Sequence, residues 1–252
     1  MKNLFTLLPA VVALATSFYS SPSVSTEKPV KTIDTLAVAG SVKASRLMTE
    51  SKSNSAEAIY QELSFSDAML SQDVFEKAFK GFENLKKAGK LSADSHLLTV
   101  CDFSKSSNTK RLWVIDTDLK KVLFTSLVAH GMGTGDEFAE HFSNTESSHQ
   151  SSLGFYVTES TYDGSNGYSL KLLGMDKGFN DAALARAIVM HGADYVSADF
   201  ARLHKRIGRS WGCPAVPREL ASPIINTIKN QNCLFIYYPD ANYLASSEWL
   251  NG

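Results

Sequence analysis

Beyond residue 54 the apolar positions follow two different rhythms, and the change falls near residue 96. Before it, Val74, Phe75, Ala78, Phe79, Phe82 and Leu85 recur at helical spacing. Ser71 is placed to cap the start of that helix, and Gly89 to end it. This predicts an N-terminal helical segment over residues 55–95, its stripe packed on the adjoining domain or offered to a partner. After residue 96, short apolar runs bounded by turn residues predict strands. They are Leu97–Phe103, Arg111–Asp116, Lys121–Val128, Leu153–Thr158, Tyr168–Leu173, Ala187–His191 and Cys233–Tyr238, with a hairpin turn at Asp116–Lys120. Pro217–Lys229 carries Leu220, Ile224, Ile225 and Ile228 and reads as an amphipathic helix. Neither a repeat nor a regular strand–helix alternation is present. The expected fold is therefore mainly β, with mixed or antiparallel sheets and a few packed helices, over residues 96–245.

The N-terminus has a different character. Lys2 precedes an apolar run from Leu4 to Ala15, and small and hydroxyl residues follow through Ser23. That order predicts a secretory signal peptide over residues 1–20, cut between about residues 15 and 25. Both Ala13-Leu14-Ala15 and Ala15-Thr16-Ser17 supply small residues for cleavage. The run is shorter than the roughly 20 residues of a membrane span. The expectation is export to the periplasm or cell envelope without stable membrane insertion after cleavage, an uncleaved anchor being the alternative. Residues 21–54, with Pro22 and Pro29 and no periodicity, read as a flexible linker.

Twenty-five Lys and Arg against 26 Asp and Glu leave a net charge of −1. This gives no electrostatic basis for a nucleic-acid partner. The cluster Arg202, Lys205, Arg206 and Arg209 is either a solvated helix face or a feature of the site near Cys213. His130, His141 and His149 lie in or beside a polar loop but lack ligand spacing and accompanying cysteines, so they imply no metal. Gly131–Gly135 lacks the lysine of a phosphate loop, so it implies no nucleotide cofactor.

Export gives the cysteine count a meaning. There are three, Cys101, Cys213 and Cys233, and an odd number in an oxidising compartment leaves one thiol unpaired. Cys213 stands in Arg209-Ser210-Trp211-Gly212-Cys213-Pro214, with His191-Gly192 22 residues upstream. A thiol attacks only as thiolate, and a histidine within reach supplies that activation. Gly212 lets a substrate carbonyl approach the backbone, whose amides can then stabilise an oxyanion. Ser210 suits a hydrogen bond to the turn or the histidine. A buried histidine beside an inert cysteine explains either residue alone; it does not explain both together with Ser210 and Gly212. Cys101 and Cys233 then either pair or pack as small apolar residues.

These residues resemble the L,D-transpeptidase catalytic domain (YkuD-like) family. Its motif is a histidine, a variable stretch, then Ser or Thr, His, Gly and the nucleophilic Cys. His191, Ser210, Gly212 and Cys213 match; Trp211 replaces the motif's second histidine, and Pro214-Ala215 also departs from it. The resemblance implies a β-rich fold and a murein L,D-transpeptidase without cofactor, whose partners are peptidoglycan stem peptides. Cys213 would attack the bond after an L-centred carbonyl of a stem tetrapeptide, releasing D-Ala, and an amine of a second stem would resolve the thioester. Resolution by water gives an L,D-carboxypeptidase or another wall hydrolase, and an inactive wall-binding module is the non-enzymatic alternative. Arg209 is either a partner for a stem carboxylate or a surface residue. Trp211 either walls the cleft against water, favouring transfer, or simply packs.

Overall fold

The computed structural model describes residues 55–252, and the signal peptide and linker expected over residues 1–54 lie outside the described residues. Ser55 caps α1 (Ala56–Glu62) by accepting from the Ala58 N–H at 3.2 Å. Ser71 caps α2 (Gln72–Lys87) in the same way through Val74 N–H. At the other end of α2, Gly89 takes φ +66°. The Gly89 N–H bonds to Lys86 O, and the Lys90 N–H reaches back to Leu85 O. This is the left-handed terminus that glycine permits. The predicted stripe of α2 is buried from Val74 to Leu85 and belongs to the same core as the strands. Gly81 allows the close approach, since a Cβ there would stand 1.9 Å from the Phe155 ring.

Eight strands form one mixed sheet: β1 (Leu97–Asp102), β2 (Leu112–Asp116), β3 (Lys121–Ser126), β4 (Gly154–Gly164), β5 (Gly167–Gly174), β6 (Val189–Ala193), β7 (Ala215–Pro217) and β8 (Cys233–Tyr237). Their spatial order is β3-β2-β1-β8-β4-β5-β6-β7. β1 and β8 run parallel, as do β6 and β7, and the other neighbours are antiparallel. Leaving β3 at one edge, the chain reaches the opposite edge, where Ala129 bridges Ala215 of β7. The sheet thus nearly closes on itself, which protects both edges. The mainly β expectation with a few helices is borne out.

Three local departures from the expected strands bear on the site. β6 starts at Val189 rather than Ala187, because Ala187 adopts φ +53° and leaves the extended conformation. The short strand β7 begins two residues after Cys213; its three residues are too few to show alternation. β4 extends to Gly164, forming with β5 a hairpin whose two-residue tip is Ser165-Asn166.

Among the helices, α3 (Ala198–His204) carries Arg202 of the basic cluster on an exposed face. α4 (Arg218–Ile228) buries Ala221, Ile224, Ile225 and Ile228 and packs on β6. The C-terminal helices α5 (Ala241–Ser246) and α6 (Glu248–Asn251) follow β8. Ser247 between them donates to the buried Asp176 carboxylate at 2.5 Å. Among the described residues, no helix is long and apolar enough to cross a membrane.

Cys101 and Cys233 are fully buried and unpaired on the adjacent strands β1 and β8. Cys101 stands opposite Ile236, and Cys233 opposite Leu98. Three positions along a strand, about 10 Å, exceeds disulfide reach. Burial pushes the Cys101 thiol up to about 12 and raises that of Cys233 as well, so both are inert packing residues.

Candidate active site

The turn before β7 carries the third cysteine. Gly212 takes φ +118°, and a Cβ there would meet Gln150 O at 2.7 Å and Ile188 Cδ1 at 3.0 Å. Only glycine combines that backbone angle with that clearance. Ser210 staples the turn: its Oγ accepts from the Gly212 N–H at 3.1 Å and donates to Cys213 O at 2.7 Å. The Gly212 amide is therefore committed to the turn, and Ser210 and Gly212 fix the backbone that carries Cys213. Ser151 Oγ donates to Gly212 O at 3.1 Å, tying the turn to the loop of residues 127–153.

The half-buried Cys213 sulfur sits against the segment leading into β6. It accepts from the Val189 N–H at 3.5 Å, and the thiol points at Ala187 O, 3.8 Å away. Burial raises the thiol pKa, while the Val189 N–H and the charge of Arg186 pull it down. At rest Cys213 is a protonated thiol.

His191, in β6, faces the same cavity. It pairs with Ser169 of β5 on one side and Ala215 of β7 on the other, two residues beyond Cys213. Its ring is buried, and Nδ1 lies 3.1 Å from Gly192 O. A carbonyl can only accept, so Nδ1 carries the proton and Nε2 keeps its lone pair. Burial lowers the imidazole pKa; the Gly192 carbonyl opposes that, and Arg218 adds to it. The imidazole is therefore neutral at neutral pH. Gly192 has a second use: a Cβ there would stand 2.8 Å from Ala221 Cβ and 3.1 Å from Arg218 Cα, so its absence lets α4 pack on β6.

A cavity of about 430 Å³ joins these groups, with Arg186, Tyr195, Arg209, Trp211 and the hairpin tip Ser165-Asn166 as further walls. Thus all the candidate side chains meet there, as Ser210 does. Trp211 forms a rim rather than a lid. It is 71% exposed and stacks on His149 at 4.9 Å with the rings 8° from parallel. Arg209 is already engaged, donating to Asp136 Oδ1 at 2.6 Å and Gly135 O at 2.9 Å.

The sequence did not single out Arg186. It clamps the loop by donating to Ser143 O, Ser152 Oγ, Ser148 Oγ and Gln150 O. One arginine ahead of an apolar run carries no pattern that separates it from a surface residue. His130, the other histidine that precedes a glycine, has both ring nitrogens engaged. Its Nδ1 accepts from Arg111 at 2.8 Å, its Nε2 faces Gly135 O at 3.3 Å, and burial with Arg111 pushes it down to about 3.

Comparison with known proteins agrees with the motif. The model of a family described as L,D-transpeptidase catalytic domain matches residues 66–237, beginning within the N-terminal helical segment. No curated protein sequence matches the chain. Among solved structures, an L,D-transpeptidase from Mycobacterium smegmatis is similar at 11% identity and TM-score 0.35 over 57% of this chain and 59% of that one. An L,D-transpeptidase from Xylanimonas cellulosilytica gives 13% identity and TM-score 0.32 over 71% of this chain and 91% of that one. The helical cell shape determining protein Pgp2 from Campylobacter jejuni gives 14% and 0.36 over 65% and 55%. The chain spans less than two thirds of the length of the first of these. With its family match over residues 66–237, more than half its length, the chain belongs to the L,D-transpeptidase catalytic domain family.

Proposed function

We propose that the chain is an exported murein L,D-transpeptidase that acts on peptidoglycan stem peptides through a thioester on Cys213. One observation carries this reading: the cavity that holds the Cys213 thiol also holds an imidazole whose Nδ1 is tied to Gly192 O, leaving Nε2 as base. In the resting arrangement the thiol points at Ala187 O. Rotation about the Cys213 Cα–Cβ bond turns it toward His191, a change between staggered positions.

His191 Nε2 takes the thiol proton as sulfur attacks the carbonyl of the diaminopimelate–D-Ala bond. The C–S bond forms and the carbonyl oxygen becomes an oxyanion, for which the Cys213 N–H on the turn is the proposed donor. Collapse breaks the C–N bond, and the imidazolium returns its proton to the departing D-Ala amine. An amine of a second stem then attacks the thioester. His191 takes the amine's proton, and the sulfur leaves to be reprotonated. The product is an L,D cross-link. Trp211 lines the donor side, and Arg209 meets a stem carboxylate by exchanging Asp136, which is 80% exposed.

A second reading is favoured by the open rim at Trp211, which leaves water a path to the thioester. The same site then works as an L,D-carboxypeptidase. Mass spectrometry of products from disaccharide-tetrapeptides separates the two. Cross-linked dimers as the main product at saturating acceptor support transfer; tripeptide as the main product makes the enzyme a carboxypeptidase, and unchanged substrate contradicts both.

A further inference from the structure

The segment from Arg186 to Val189 does more than lead into β6. It presents Ala187 O and the Val189 N–H to the Cys213 sulfur, and it does so with Ala187 at φ +53°, a conformation that costs a non-glycine residue. Something must hold that backbone, and Arg186 is next to it. Its two terminal nitrogens donate to Ser143 O at 2.8 Å, Ser152 Oγ at 2.5 Å, Ser148 Oγ at 3.1 Å and Gln150 O at 2.7 Å. Its Nε is buried without a partner among the described residues. None of the four acceptors is a carboxylate, and the ion pairs among the described residues do not include Arg186. A guanidinium thus keeps its full charge on the wall of the Cys213 cavity.

We propose that Arg186 is a positioning residue for Cys213: it pins the segment 186–189 to the loop 143–152 and supplies the positive charge that favours the thiolate. The proposal rests on Cys213 being the nucleophile. The loop it grips is the one whose Gln150 O lies against Gly212, so one side chain ties both walls of the nucleophile turn. The Arg186 charge draws the thiol's acidity back against burial, and the sulfur in turn acts on Arg186. The other titratable groups facing the sulfur are His191, Tyr195 and Arg209. His191 is held neutral and the Arg209 charge is met by Asp136, which leaves Arg186 as the uncompensated cation. Beyond Trp211 at the rim lies His149.

The test is the pH profile of Cys213 alkylation by iodoacetamide in the full chain, followed by peptide mapping and a thermal melt for each protein. Cys101 and Cys233 are fully buried, so the reaction reports Cys213. Arg186→Met is expected to move the profile to higher pH and slow alkylation at neutral pH about tenfold. Arg186→Lys, which keeps the charge without the fork, is expected to hold the wild-type profile while melting lower. A superimposable profile in folded Arg186→Met overturns the proposal, as does a shift in Arg186→Lys equal to that in Arg186→Met. Should Arg186→Met fail to fold, Arg186→Lys decides: a wild-type profile supports the proposal and a shifted one overturns it. The readout needs no stem peptide, so loss of the proposed reaction with the profile shift intact counts against that reaction and not against Arg186.

Discussion

Two His-Gly pairs border the turn that carries Cys213, and they differ in which ring nitrogens are left unengaged. His130-Gly131 and His191-Gly192 are both buried and both touch the turn. Ser210 N–H donates to His130 O at 3.0 Å, and His191 pairs with Ala215. At His130 both ring nitrogens are spoken for, by Arg111 and Gly135 O, and the ring lies edge-on to Phe103 at 6.0 Å. At His191 one nitrogen is held by Gly192 O, and the ring borders an open cavity. The first is a pillar under the loop 131–139; the second keeps an unengaged Nε2, which the proposed mechanism uses as the base. Burial lowers both, but only His130 is also pressed by an arginine in direct contact.

His191→Ala should cut turnover by about a hundredfold to ten-thousandfold, roughly 3–5 kcal/mol of barrier, with the fold intact. His130→Gln should leave turnover within a few-fold. Equal losses in the two variants, read as kcat/KM on stem tetrapeptide, would contradict the distinction.

A smaller effect concerns the turn that both pairs support. Gly212→Ala meets a positive φ and a backbone oxygen at 2.7 Å, and should cost about 2–4 kcal/mol in denaturant unfolding together with most activity. A neutral substitution would mean that the turn relaxes without harm.

The smallest effect belongs to the pillar. The unfolded chain takes a proton at His130 below about pH 6.5, whereas the folded chain resists protonation down to about 3. Stability from this group is full above pH 6.5 and is lost as pH falls through that window, about 2 kcal/mol by pH 5. Urea unfolding of wild type against His130→Gln should show that slope flattened in the variant. Parallel pH dependences would remove His130 from the account.

Legibility in the sequence followed from how many residues carry each signal. The α2 stripe, the strands β1, β2 and β8 and the caps at Ser71 and Gly89 were readable, because several residues repeat one period or one terminus rule. β7 was not, since three residues carry no period and only its neighbours β6 and Ala129 define it. The shift of the β6 start to Val189 depends on a left-handed alanine held by tertiary contacts, which local propensity opposes. In the site, Cys213, Gly212, Ser210 and His191 were legible because their types and order are chemically restrictive. Arg186 was not, since its partners lie 34 to 43 residues away. The saturation of His130 was hidden for the same reason: Arg111 is 19 residues distant on another strand end.

Rapid quenching of the full chain mixed with a stem tetrapeptide, followed by intact mass and peptide mapping, shows whether Cys213 carries the acyl group. The expected result is a transient adduct equal to the tetrapeptide less D-Ala, located on Cys213, absent from Cys213→Ala and slower to form in His191→Ala. An adduct on another residue, or substrate turnover at the wild-type rate by Cys213→Ala, would contradict it.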